Sequence, residues 1–289
     1  MKSKRLVACS IVLMILIALV ACAGMSEKEQ CIDFGTQVIN DTVVFSEGYS
    51  LKENLIACYD VDGKNVYTLG TRHQYHFFEA ANYSIQDLQS VIDNVKPDYL
   101  FIECREETFD KYQALDGPYE MLFLYAYGKE QGIEVELIDY WQITNEIMAQ
   151  KGSSWDERDN EIFYNIYDKM ANVKKGETVL ICYGSAHFFY QQPRMEMAGW
   201  KRVELADTSS FFACTSEEFQ YPECLPQIIQ DAVDNYYKYG ALEEAKANIT
   251  YSEVMSNFKD MTTGLAAEYL GFKKMVENNM LYINNGAGN

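Results

Sequence analysis

Histidine is scarce in this chain, with three in 289 residues. Two of them close copies of one pattern, Gly70-Thr71-Arg72-His73 and Gly184-Ser185-Ala186-His187, and the third, His76, follows the first copy. Imidazole titrates near neutrality and is the commonest metal ligand, so this placement points to one shared site. Each copy follows a β-rich apolar run, Val66 to Leu69 and Val179 to Tyr183. Two acids hold equivalent places: Glu103 after Tyr99-Leu100-Phe101-Ile102, and Asp139 after the run ending at Ile138. In an open parallel sheet, ligands bind beyond the carboxyl ends of the strands, so His73, Glu103, Asp139 and His187 are candidates for a single pocket.

Each candidate has a plainer reading. A buried unpaired carboxylate is costly, so Glu103 needs a cation: Arg105 in a simple ion pair, or a partner within the site. Asp139 reads equally as a turn residue, and His76 as a loop or supporting residue rather than a ligand. Arg158, in the acidic segment Trp155 to Glu161, can clamp a carbonyl or phosphate, hold Glu103, or stand as a solvated charge. Gly70 and Gly184 permit a sharp turn and close approach of a ligand to the backbone. Thr71 and Ser185 bring hydroxyls and N–H groups suited to an oxyanion.

The elements that must position these residues alternate. Asp62-Gly63 between β-rich runs signals a hairpin. Ser84-x-x-Asp87 opens an apolar-periodic helix to Val95, with Ser84 as N-cap, and Pro97 stops it. Tyr99 to Ile102 has the continuous apolar character of a strand buried on both faces. A helix from Tyr119 to Gln131 ends at Gly132, and a strand follows from Glu134. A helix over Asp156 to Val173, a strand over Thr178 to Tyr183, a helix near Phe188 to Ala198 and a strand over Lys201 to Leu205 complete the alternation. This predicts an α/β fold with a mostly parallel central sheet flanked by helices. Residues 226–283 carry helical patterns only, over Gln227 to Tyr239, Leu242 to Ala247 and from Ser252 to about Val276, and read as a C-terminal helical annex.

The N-terminus reads as an address. Lys2, Lys4 and Arg5 precede an apolar run that is shorter than the roughly 20 residues needed to span a bilayer. Leu19-Val20-Ala21-Cys22 closes it in the manner of a signal peptide. Residues 1–21 read as a signal peptide or, uncleaved, as an N-terminal anchor, with 22–40 as a tether and 41–283 as a single domain. Apolar residues make up 48% of the chain, enough for a full core. A net charge of −19 argues against nucleic acid, which calls for a basic surface. Cys104 and Cys182 fall in buried-strand patterns, there is no Cys-x-x-Cys zinc spacing, and Cys214 and Cys224 flank a polar turn where a disulfide can form outside the cytoplasm.

Several of these segments together resemble a known family. Val66 to His73 is similar to the first signature of the TraB/PrgY/GumN/Tiki superfamily, and Pro97 to Glu103 resembles its acidic strand. Glu157-Arg158-Asp159 is similar to its arginine motif, where Asn often stands in place of Asp159. Val179 to Phe188 with Gly199 to Val203 resembles its second Gly-x-x-His unit. The resemblance spans about residues 55–205 in order, is unspecific in the C-terminal helices, and leaves His76 outside the pattern. It implies a fold shared with erythromycin esterases and ChaN-like proteins, with His73, Glu103, Arg158 and His187 in one pocket. The closing tetrapeptide resembles a bacterial lipobox, which implies a lipid on Cys22 and an extracytoplasmic membrane location.

The expected function is a lipid-anchored hydrolase of amide or ester bonds in a peptide or small-molecule substrate. In one version, His73, His187 and Glu103 hold a divalent ion (Mn, Co or Zn) that activates water, and Arg158 stabilises the oxyanion. A second version is metal-independent, with His73 as general base beside Glu103. A third is a non-enzymatic surface lipoprotein that binds a peptide or haem.

Overall fold

The computed structural model describes residues 51–140, 154–214, 219–246, 266 and 268–282, all within one compact unit, Thr36–Asn289. The expected signal peptide, tether and lipidated Cys22 lie outside the described residues, as does Ser252 to 265 of the expected C-terminal helix. Among the described residues no helix is long and apolar enough to cross a membrane.

Six strands form one mixed sheet: β1 (Ile56–Val61), β2 (Lys64–Thr71), β3 (Tyr99–Arg105), β4 (Glu134–Asp139), β5 (Thr178–Gly184) and β6 (Lys201–Val203). Their order is β4-β3-β5-β2-β1-β6. The four strands β4, β3, β5 and β2 run parallel, while β1 and β6 add an antiparallel flank. The helices are α1 (Ile85–Val95), α2 (Glu106–Tyr112), α3 (Tyr119–Glu130), α4 (Ser154–Met170), α5 (Ser185–Met197), α6 (Leu225–Lys246) and a C-terminal α7 over 268–277. The protein is therefore α/β, with a mostly parallel sheet flanked by helices and further helices at the C-terminus.

Local chemistry accounts for the punctuation. Asp62 and Gly63 both adopt positive φ (54° and 81°), the pair of left-handed residues that a tight hairpin turn requires. The Ser84 and Asp87 side chains close a reciprocal capping box on α1, and Lys96 ends that helix in the left-handed region (φ 51°) just before Pro97. The inner strands β3 and β5 are buried along almost their whole length, as their continuous apolar runs demand.

Three elements differ from the sequence pattern. Helix α5 starts directly at Ser185, so His187 lies in its first turn and not in an extension of β5. Helix α2 follows β3 without a loop, because Glu106 and Glu107 suit a helix N-terminus. The segment expected as two helices is one, α6. Cys214 and Cys224 are exposed and unbridged, and Cys104 and Cys182 are buried.

The sheet register sets the site. Thr71 pairs with Gly184 across β2 and β5, so the two Gly-x-x-His copies leave the sheet side by side. Strand β3 flanks β5 on its other side, with Ile102 opposite Cys182, and this brings Glu103 to the same edge. The β3–β4 register shifts between Ile102 and Arg105, a local irregularity of the kind that re-aims a side chain. The C-terminal helix braces this end of the molecule. The Phe272 ring contacts Phe77, Tyr119 and Tyr221, the Tyr269 hydroxyl donates to the Gly117 carbonyl, and the Tyr119 hydroxyl donates to the Glu268 carboxylate.

Candidate functional site

The first copy leaves β2 through a short 3-10 turn, His73–Phe77. His73 itself has positive φ (50°), an uncommon conformation for a side-chain-bearing residue. Its Nδ1 lies 2.8 Å from Glu120 Oε1. Glu120, in the first turn of α3, is completely buried. The same Oε1 accepts a 2.6 Å hydrogen bond from Thr71 Oγ1, while Oε2 is buried without a hydrogen-bond partner. Burial disfavours charge on His73, but the Glu120 carboxylate outweighs it and raises the pKa to about 9.

The second copy sits in a denser network. Glu103 Oε2 accepts from the Gly184 backbone N–H at 2.6 Å, at the start of α5, where a helix favours negative charge. Glu103 Oε1 accepts from Arg158 Nη2 at 2.9 Å and lies 3.4 Å from His187 Nε2. Arg158 also donates through Nε to Asp139 Oδ1 at 3.0 Å. Arg105 pairs with Asp116, so the simple Glu103–Arg105 pair is not formed. His187 Nδ1 lies 2.7 Å from Asp159 Oδ1, and Gln191 Nε2 donates to the Asp159 carbonyl (2.8 Å) and to Oδ1 (3.0 Å). Burial opposes ionisation of Glu103, yet His187 and Arg158 hold its carboxyl well below the usual range. Burial likewise opposes charge on His187, but Glu103 and Asp159 raise its pKa to about 10. At Asp139 burial prevails over Arg158 and the pKa rises.

The glycines of the two copies interlock. A methyl group on Gly184 would lie 2.7 Å from both Cε1 and Nε2 of His73 and 3.3 Å from Glu103 Oε2. A methyl group on Gly70 would lie 3.1 Å from Cβ and 3.2 Å from Cγ of Phe188, the residue after the second histidine. Each glycine is thus a seat for a ring from the other copy. The His73 ring packs with Cε1 and Nε2 against the Gly184 backbone, beside Glu103.

His76 takes no part in the cluster. It is fully buried, accepts from the Arg72 N–H through Nε2 at 2.8 Å and bonds the Tyr83 carbonyl through Nδ1 at 2.9 Å. That pairing fixes one neutral tautomer, and burial pushes the pKa down to about 4. The Tyr83 hydroxyl in turn donates to the Gly70 carbonyl, so His76 supports the turn. Ser185 is buried in α5, and the Thr71 hydroxyl is engaged by Glu120.

The structure therefore gathers His73, Glu103, Asp139, Arg158 and His187 at one sheet edge, together with Glu120, which no motif marks, and Asp159, which stands in the arginine motif without an expected place in the pocket. Glu120 left a signal in the sequence: it is the acid in the first turn of a helix whose neighbours, Met121 to Leu124, are all apolar. Such a residue is buried and needs a partner.

A divalent ion suits this set in kind. Each imidazole carries a carboxylate on Nδ1, as ligating histidines do, and with both imidazoles neutral four carboxylates face one guanidinium. The placement does not suit it. Among the described residues no group of three or more His, Cys, Asp or Glu side chains is placed to hold one ion, and the Arg158 guanidinium sits on Glu103 Oε1. The surrounding carboxylates instead favour protons on His73 and His187, raising both pKa values.

No family model, curated protein or solved structure matches the chain.

Proposed function

We propose that this protein is a hydrolase of amide or ester bonds, working by proton transfer at the paired Gly-x-x-His pocket and held at an extracytoplasmic membrane surface through Cys22. The observation that carries the reading is the state of His73. Its side chain is 40% exposed, beside an otherwise buried cluster of opposite charges, with Nε2 next to Glu103 and Nδ1 anchored. An imidazole reachable by water and held in one orientation is suited to take a proton from water and return it to a leaving group. Arg158 keeps Glu103 ionised and fixed at the pocket edge. The likeness to the TraB/PrgY/GumN/Tiki superfamily over residues 55–205 supports a hydrolase pocket built on the same residues.

The test is a panel of chromogenic esters and fluorogenic peptides, assayed from pH 6 to 10 with and without a chelator. Turnover that survives chelation and falls about 10²–10⁴-fold in His73→Asn is expected. Turnover abolished by chelation and restored by one equivalent of Mn²⁺ or Zn²⁺ overturns the metal-independent mechanism. Tight retention of haem or peptide with no turnover favours a binding lipoprotein instead.

A further inference from the structure

Glu120 belongs to no motif, yet it is tied into the pocket more tightly than its place at the start of α3 requires. One oxygen serves two donors that are two residues apart on the chain, Thr71 Oγ1 and His73 Nδ1. Both come from the end of β2, so the carboxylate clasps the strand end and the turn together. The other oxygen is buried and makes no hydrogen bond. A buried carboxylate left half-satisfied costs stability, and an apolar residue here would avoid that cost. Its segment is also held from behind: Gly117 through the Tyr269 hydroxyl, and Tyr119 through the Glu268 carboxylate and the rings of Phe77 and Phe272. The Gly184 seat leaves the His73 ring no Cβ to strike, so the ring is located by a backbone surface on one side and by Glu120 on the other.

We infer that Glu120 is the positioning residue of the site: by accepting from His73 Nδ1 it fixes that ring with Nε2 at the Gly184–Glu103 edge. The inference deepens the hydrolase reading and rests on it for its catalytic consequence, while the positioning itself can be tested without a substrate. Of the three imidazoles, Glu120 hydrogen-bonds that of His73. His187 has its own acceptor, Asp159, and His76 donates to a backbone carbonyl, so the three histidines report separately.

The experiment uses the chain with uniformly ¹⁵N-labelled histidine. A long-range ¹H–¹⁵N spectrum at neutral pH observes three imidazoles, assigned by single substitution of each histidine. In the wild type, the His73 Nδ1 proton is expected far downfield, as for a charge-assisted bond to a carboxylate. Glu120→Gln keeps the shape and an acceptor oxygen but removes the charge, so that proton should move upfield while His76 and His187 keep their own hydrogen-bonded tautomers. Against any substrate the wild type turns over, Glu120→Gln should lower kcat about 10²-fold with KM within about twofold, and Glu120→Asp should recover part of kcat. Where Glu120→Gln does not fold, Glu120→Asp carries the test, with a weakened but still downfield His73 signal. An unchanged His73 signal in the folded variant, or equal losses in Glu120→Gln and Glu120→Asp, overturns the inference. A shifted His73 signal in a protein without turnover on the whole panel supports the positioning and overturns the hydrolase reading.

Discussion

The two Gly-x-x-His copies end on adjacent parallel strands, one residue apart in register, yet they hand their histidines to different surroundings. After β2 the chain makes a 3-10 turn and leaves the His73 side chain 40% exposed; after β5 it enters a thirteen-residue helix and leaves the His187 side chain 4% exposed. Each imidazole has a carboxylate behind Nδ1. His73 has a water-facing side, whereas His187 is closed in by Asp159 and Glu103. One four-residue pattern therefore yields one imidazole able to exchange protons and one that acts as a charged strut. The difference lies in the element that follows the glycine, and in burial, rather than in the pattern.

The sharpest way to break this contrast is to remove each imidazole in turn. His73→Asn should cost turnover about 10²–10⁴-fold with a smaller loss of stability. His187→Asn should unfold the protein more readily, by about 3–5 kcal/mol in urea titrations, because it takes a buried positive charge from between Glu103 and Asp159 and leaves Arg158 alone to balance them. Comparable stability losses in the two variants would erase the distinction between a working residue and a strut.

The glycine seats make a finer test. Gly184→Ala drives a methyl group into the His73 ring and should reduce kcat steeply with a modest change in melting temperature. Gly70→Ala presses on Phe188 and should act mainly on stability, by about 1–3 kcal/mol as for overpacking.

The smallest expected effects are in pH dependence. His73 must lose its proton to act as a base, so kcat/KM should climb with pH and level off near 9. Both raised imidazole pKa values stabilise the folded state by binding protons more tightly than the unfolded chain. That contribution is complete below about 6.5 and is lost as pH rises through 9 and 10. The lowered Glu103 acts in the opposite sense: its contribution is present above the ordinary carboxylate range and is lost in acid. Melting temperatures measured from pH 4 to 10.5 should therefore fall at both ends, and His187→Asn should flatten the alkaline fall more than His73→Asn does.

Much of this was legible in the sequence, for physical reasons that can be named. Asp62-Gly63, the Ser84 capping box and the apolar run of β3 are local signals, and each marks the element it was read for. The strand-end residues His73, Glu103, Asp139 and His187 were legible because each is a polar group standing just after the apolar run of a parallel strand. The pairings of Glu120 with His73 and of Asp159 with His187 were not, since the partners lie 47 and 28 residues apart and the pairing depends on which strands become neighbours. The start of α5 was misplaced because glycine and serine look like loop, whereas here Gly184 serves as a helix cap whose N–H is taken by Glu103.

The brace supplied by the last helix sets an order of events. The turn that carries His73 and the helix that carries Glu120 both lean on Phe272, and Tyr269 holds the segment between β3 and α3. A chain that has emerged only as far as residue 265 already contains every member of the pocket and none of this support. The parts of the site thus precede their brace along the chain, and a growing or truncated chain that stops at 265 holds the first without the second.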